Sequence, residues 1–167
     1  MKILMVYPPC RESSTPTLPL GLLYVAQPLI EDGHEVKIYD IALETPTRKE
    51  VISKIKSEKF DLLIIGGIIT TYGYIKWLTN EVKKYYPEIL ILGGGFVATP
   101  IPHVIFKNTG IDVICNGEGD VTVREYVSAL ENNKDILDVA GLFIKNDASY
   151  VSTQLRMTRK LNIINSF

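Results

Sequence analysis

Four aliphatic residues, Ile89 to Leu92, run without a break into three glycines, Gly93, Gly94 and Gly95. A continuous apolar run of this length marks a strand buried on both faces, as in a sheet covered by helices on each side. The glycines are expected to end the strand. Without a Cβ their backbone can turn sharply and let another group approach closely. A plain strand-to-helix turn needs one such residue, seldom three, so the stretch reads as a loop that contacts a ligand. Open α/β sheets hold their ligands at this carboxyl end of the strands.

The same grammar repeats along the chain. Apolar strands are expected at Lys2–Tyr7, Glu35–Tyr39, Asp61–Gly66, Ile89–Leu92 and Asp112–Cys115. Helical spacing predicts helices over Leu20–Asp32, Thr47–Glu58, Tyr74–Tyr86 and Val121–Asn132, with a short helix after Pro102. Their inward positions are Leu22, Leu23, Ala26, Leu29 and Ile30 in the first, Val51, Ile52 and Ile55 in the second, Ile75, Leu78, Val82 and Tyr85 in the third, and Val123, Tyr126, Val127 and Leu130 in the last, with Trp77 at a margin. Gly33 stops the first helix. Pro28 inside it removes the bond to the Tyr24 carbonyl and predicts a kink or an early frayed end. Further on, Gly141–Lys145 and Tyr150–Thr153 flank Asn146-Asp147-Ala148-Ser149, which reads as a β-hairpin. Strands alternating with helices predict a doubly wound parallel sheet. Right-handed crossovers, with two helices on one face and three on the other, give the order 2-1-3-4-5. The loops after strands one, three, four and five then gather on one rim: Tyr7-Pro8-Pro9, Gly66-Gly67, Gly93-Gly94-Gly95 and Gly117-Glu118-Gly119.

Composition narrows what that rim could serve. A chain of 167 residues suits one domain, and 46% hydrophobic residues supply a full core. A net charge of −1 with 22% charged residues gives no broad field for nucleic acid or an anionic membrane. Met1-Lys2 runs straight into a strand, and the longest apolar runs are broken by Gly and Pro, so a cytoplasmic protein without signal peptide or membrane span is expected. Cys10 and Cys115 follow strands three positions apart, on the order of 14 Å at ordinary strand spacing. Free thiols are expected. Two cysteines without a nearby His make neither a zinc nor an iron–sulfur site.

Several familiar uses of such a rim are excluded by the residues. A flavin phosphate needs backbone N–H groups after the first strand, where Pro8 and Pro9 have none. A phosphate-accepting receiver needs clustered Asp and a Lys, where Tyr7, Gly66 and Asn116 stand. Gly93-x-Gly95-x-x-Ala98 matches the dinucleotide fingerprint in form, but Pro100 and Pro102 interrupt the helix it should open, and Asp112 begins the next strand where the acidic partner should end it. No Walker sequence occurs. Ser13 and Ser14 have no His placed to activate them. Glu118 reads as a binder of a polar ligand group or a backbone N–H, His34 as a hydrogen-bonding residue of its turn, and His103 as a surface residue.

In order along the chain, Tyr7-Pro8-Pro9, Leu18-Pro19-Leu20-Gly21-Leu22-Leu23-Tyr24, Gly33-His34-Glu35-Val36, Gly94-Gly95-Phe96-Val97-Ala98-Thr99 and Gly117-Glu118-Gly119-Asp120 resemble the N-terminal cobalamin-binding domain of cobalamin-dependent radical S-adenosylmethionine enzymes. The resemblance covers residues 1–153. It implies a flavodoxin-like fold with the corrin across the rim and the nucleotide tail descending beside the sheet. It places Tyr7, Pro8, Leu18, Pro19 and Gly21 near the lower face of the corrin. Gly67, Thr70 and Thr71 would line the tail cleft with Gly93, Gly94, Gly95, Ala98 and Thr99, and Gly117, Glu118 and Gly119 would close the far side. This chain departs from the family at Gly67-Ile68, where a Ser is frequent, and at Val97, where a His is frequent. Both changes weaken polar contacts to the tail.

The chain has no His between Met1 and Gly33. The Asp-x-His-x-x-Gly ligand of better-known cobalamin carriers is therefore absent, and the resemblance implies a cofactor held base-off without a His ligand. No metal ligand is assigned, although the Cys10 thiolate is a soft donor near the expected lower face. The family's S-adenosylmethionine and [4Fe-4S] cluster belong to a barrel with a Cys-x-x-x-Cys-x-x-Cys motif that this sequence lacks. Residues 154–167 are expected to be a linker towards that barrel in the same polypeptide, where methyl transfer or a radical rearrangement would occur. The chain alone is expected to catalyse nothing. Two other readings stay open from the residues: a stand-alone α/β enzyme using Glu118 on another small ligand, and a domain that docks a protein partner at the same rim.

Overall fold

The computed structural model describes residues 1–10, 18–147 and 149–156. Five strands form the parallel centre: β1 (Lys2–Tyr7), β2 (Glu35–Asp40), β3 (Leu62–Gly66), β4 (Leu90–Gly94) and β5 (Val113–Cys115). Two more, β6 (Leu142–Lys145) and β7 (Tyr150–Ser152), are the arms of the expected hairpin. The full order is β2-β1-β3-β4-β5-β6-β7, with β6 antiparallel to β5 and β7 antiparallel to β6. The expected 2-1-3-4-5 core is borne out, and the hairpin extends the sheet instead of standing apart.

Alternation along the strands divides the apolar residues between two layers. Ile3, Met5, Leu62, Ile64, Leu92, Val113 and Cys115 face helices α1 (Leu20–Glu31) and α6 (Gly119–Glu131). Leu4, Val6, Leu63, Ile65, Ile91 and Ile114 face α3 (Arg48–Ser57), α4 (Tyr72–Tyr85) and α5 (Pro102–Asn108). A one-turn helix, α2 (Ile41–Glu44), was not expected from the sequence. The Asp40 side chain caps it by accepting the Leu43 N–H at 2.9 Å. Thr47 and Glu50 form a reciprocal capping box that starts α3. A further short turn, Ile69–Thr71, leads into α4.

Several expectations are corrected in detail. β4 does not stop at the glycines. Gly93 and Gly94 continue the strand, paired with Ile65 and Gly66, and the backbone turns only at Gly95, whose φ is +78°. Gly93 serves packing: a Cβ there would lie 2.8 Å from Ile111 Cδ1. Helix α1 runs through Pro28 to Glu31, so the early frayed end does not occur. Leu23, Ile30 and Tyr85, expected inward, are exposed, because each lies one position off the stripe that meets the sheet. His34 is buried; its backbone N–H donates locally to the Leu29 carbonyl at 3.1 Å, while its ring meets the nitrogen of Met1, just before β1, at 3.1 Å. His103 is exposed, as expected.

Candidate functional site

The carboxyl ends of β1, β3, β4 and β5 surround one cleft of about 420 Å3. Its floor is built from residues of the layer beneath α1 and α6. Ile64 and Leu92 come up from the sheet, Leu22 and Val25 from the first turns of α1, Val123 from α6, and Cys115 from the end of β5. Helix α1 starts here because Leu18 and Pro19 lead directly into it, with Pro19 at the cap position. Helix α6 starts at Gly119, one residue after Glu118, following the bend at Gly117 with φ +98°. Gly119 also lets the two helices close on each other, since a Cβ there would lie 2.9 Å from Val25 Cγ2.

The mouth is formed largely by backbone. A Cβ on Gly95 would lie 2.6 Å from the Gly67 carbonyl oxygen, which accepts the Val97 N–H at 3.1 Å. The β3 and β4 loops are therefore clamped together by a contact that only glycine permits at that position. Gly94 and Gly117 are different. The nearest atom to a Cβ on Gly94 is Cys115 Cβ at 3.9 Å, and a Cβ on Gly117 would meet nothing within 4 Å. At these two positions the space that a side chain would fill is open to a ligand.

Of the residues that the sequence assigns to a ligand, Tyr7, Leu18, Pro19, Gly21, Gly67, Gly93, Gly94, Gly95, Gly117 and Gly119 line the cleft. The others stand back from it. Pro8 is buried and does not line it. The Thr70 hydroxyl lies 2.9 Å from Cys10 Sγ, and the Thr71 hydroxyl donates to the Ile68 carbonyl at 2.7 Å. Ala98 is packed in the core under α4 and α5, together with Val97. Thr99 donates to the Gly95 carbonyl at 3.3 Å and so braces the turn from outside. Glu118 is exposed at the start of α6 and its side chain makes no capping bond. The floor residues were missed. Their signal lies in register: each strand residue is buried on the α1 and α6 side and stands two positions before a rim glycine.

Among the described residues, the cleft is uncharged. No Asp, Glu, Lys, Arg or His lines it among the described residues, nor do these residues hold a cluster of His, Cys, Asp and Glu that could bind a metal ion. Both cysteines are free. Burial pushes the Cys115 thiol up to about 12, so it is protonated near neutral pH and acts as one more neutral wall. Around the mouth, apolar side chains project outward. Leu18, Leu20, Tyr24 and Phe96 are 75%, 67%, 73% and 80% exposed, and Ile68 and Ile69 stand beside them. Exposed apolar groups gathered on one edge mark a place where something else lies against the protein. Among the described residues, no helix is long and apolar enough to cross a membrane.

The chain resembles known proteins in both sequence and fold. The family model described as the B12 binding domain matches residues 10–127. The anaerobic magnesium-protoporphyrin IX monomethyl ester cyclase of a Synechocystis species is 31% identical over 161 residues, which are 92% of this chain and 32% of that protein. An uncharacterized methyltransferase of Pyrococcus horikoshii is 32% identical over 155 residues, 88% of this chain and 33% of its own. The chain thus spans about a third of the length of these relatives. The solved structure of the radical S-adenosylmethionine methyltransferase TsrM from Kitasatospora setae, with cobalamin and a [4Fe-4S] cluster bound, superimposes with a TM-score of 0.80 at 18% identity, covering 93% of this chain and 29% of that one. At that identity the likeness speaks for the fold. The family match, which takes in the loop after β1, all the parallel strands that follow it and most of α6, makes this chain a member of the B12-binding domain family.

Proposed function

We propose that this chain is the cobalamin-holding module of a radical S-adenosylmethionine enzyme. The observation that carries the reading is the glycine-walled, apolar and uncharged cleft at the carboxyl ends of the strands in a B12-binding domain. Cobalamin fits the residues present. Gly94 and Gly117 leave backbone accessible to a broad planar group, while Leu22, Val25, Ile64, Leu92 and Val123 offer a dry recess for its tail. Tyr7, Leu18 and Gly21 stand at the mouth, on the side expected to meet the lower face. When bound, cobalamin supplies radical or group-transfer chemistry that no side chain here can provide. The chain's own residues bind it, orient it and exclude water beneath it.

The cofactor would be held without a His ligand, since no His occurs before Gly33 and none lines the cleft among the described residues, and it would be base-off if its tail lies in that recess. The exposed apolar rim then faces a radical S-adenosylmethionine barrel in the same polypeptide, which carries its own cluster and performs methyl transfer or a radical rearrangement. Relatives about three times as long as this chain support that arrangement. Of the expected linker 154–167, residues 157–167 lie outside the described residues. Free cysteines accord with a reducing, cytoplasmic location. A stand-alone catalyst would depend on Glu118, which does not line the cleft.

Titration of the purified chain with hydroxocobalamin, followed by gel filtration and a visible spectrum, tests this reading. Corrin colour should travel with the protein, and the spectrum should be that of a base-off, His-off cobalamin. Absence of retained corrin at high concentration would overturn the assignment. A base-on or His-on spectrum would overturn the ligation.

A further inference from the structure

We propose that the recess between α1 and α6 selects among corrinoids by the polarity of the lower base, accepting a benzimidazole or a phenol and disfavouring a purine. This inference rests on the reading that the recess takes the nucleotide tail. A cleft of about 420 Å3 is a moderate ligand pocket, suited to a part of a corrinoid and not to the whole of it. Its inner wall is Leu22, Val25, Ile64, Leu92, Val123 and Cys115, none of which carries a strong hydrogen-bonding group.

Among the described residues, the polar side chains beside this wall are already engaged. The Cys115 thiol is directed at the Glu118 carbonyl at 3.9 Å, and burial keeps it protonated. The Thr71 hydroxyl donates to Ile68, and the Thr99 hydroxyl to Gly95. The Thr122 hydroxyl accepts from Arg156 Nε at 2.7 Å and donates to the Ala140 carbonyl at 3.4 Å. The strand backbones behind Ile64 and Leu92 are paired in the sheet ladder. Among the described residues that line the cleft, Tyr7 carries the one hydroxyl, and it belongs to the end of β1, not to the inner wall.

A buried polar group without a partner carries its desolvation cost in full. A purine base brings an exocyclic amine and several ring nitrogens into this wall. A base-off dimethylbenzimidazole brings a single unsubstituted ring nitrogen, and an ether-linked phenol brings none. Discrimination of this kind is the reverse of a site built to hydrogen-bond its ligand, and it follows from leaving the ligand's groups unpaired.

The experiment is an absorbance titration of the chain with four probes: cobalamin, a cobamide with an adenine base, a cobamide with a phenolic base, and tail-free cobinamide. Cobalamin and the phenolic cobamide should bind within a few-fold of each other. The adenine cobamide should bind at least about tenfold more weakly, equivalent to about 1.4 kcal/mol. Cobinamide should also be weaker than cobalamin. Equal affinity for the adenine cobamide and cobalamin, both above cobinamide, would overturn the selection while leaving the tail in the recess. Cobinamide binding as tightly as cobalamin would remove the tail from the recess and overturn the inference. If none of the four binds, the functional reading falls, and the inference with it.

Discussion

The two faces of one sheet are built from the same strands and differ in what they leave open. On the face covered by α3, α4 and α5, the core closes, and Phe60, Tyr74, Trp77 and Tyr86 seal its margins. On the face covered by α1 and α6, the same kind of aliphatic core opens into a cleft at the rim. Hydrophobicity does not distinguish them, since both layers are rich in buried Ile, Leu and Val. The difference lies in helix number and in where side chains are missing. Two helices cannot cover as many strand ends as three, and the glycines that end β3, β4 and the β5 loop decline to fill the gap. A binding cleft arises here from the omission of side chains at the end of an otherwise ordinary core.

That contrast can be attacked from its strongest side first. Leu78 on α4 is fully buried in the closed layer. Leu78→Ala should lower the unfolding free energy by about 2–5 kcal/mol in urea titrations. Leu22→Ala should lie at the low end of that range, because Leu22 already borders open space. Equal losses would mean that the two layers are packed alike and that the cleft is not a weakness in the α1 and α6 face.

The clamp between the β3 and β4 loops comes next. Gly95→Ala adds a Cβ at a positive φ and drives it onto the Gly67 carbonyl. A loss of at least about 1–2 kcal/mol is expected from the backbone conformation alone. A neutral substitution would show that the two loops move apart freely.

Alkaline titration separates the neutral walls from the solvent. The Cys115 thiol is raised from an ordinary 9.0 to about 12 by burial, and Tyr39 and Tyr74 on the opposite face are each raised from 10.0 to about 12. An acid whose proton is held more tightly in the folded state contributes stability that is complete below its unfolded value. That stability is lost as pH rises through the folded value. Stability should therefore fall from about pH 9 toward pH 12, and Cys115→Ala should flatten the start of the decline. An unchanged pH profile in that variant would show that the thiol titrates as if exposed.

The smallest effect on stability is expected at Gly94. A Cβ there has room, so Gly94→Leu should leave unfolding within about 1 kcal/mol of the parent. Cobalamin affinity should drop by more than about tenfold, because the added side chain occupies the space left for a ligand. Loss of folding instead would assign Gly94 to the turn.

The strands and their order were legible because aliphatic runs bounded by Gly, Pro and Asp have few alternatives. Ile89 to Leu92 and Leu62 to Ile65 could scarcely lie anywhere except at the centre of a covered sheet. The glycine loops were legible for the same reason. The continuation of β4 through Gly93 and Gly94 was not, since glycine has low strand propensity and only the pairing with Ile65 and Gly66 overrides it. Thr70 and Thr71 looked available as polar contacts, yet the short turn that precedes α4 consumes the Thr71 hydroxyl within its own backbone. Ile64, Leu92 and Val123 could not be separated from ordinary core residues by sequence, because their exposure to the cleft depends on which helices stop short above them.

The hairpin at the far margin has a consequence for the sheet as a whole. Without β6 and β7, the outermost strand would be Val113–Cys115, three buried apolar residues with a free row of backbone donors and acceptors. Such a margin invites a second chain to join it. Pairing with β6 consumes that row, and β7 replaces it with Tyr150–Ser152, a short strand bearing exposed Val151 and Ser152. The other margin, β2, carries Glu35 and Lys37 on its solvent side. A chain cut before Leu142 would keep every residue that lines the cleft, yet it would be sticky. What the hairpin contributes is cover: it takes up the backbone row of β5 and leaves a short strand with polar and exposed residues at the margin in its place.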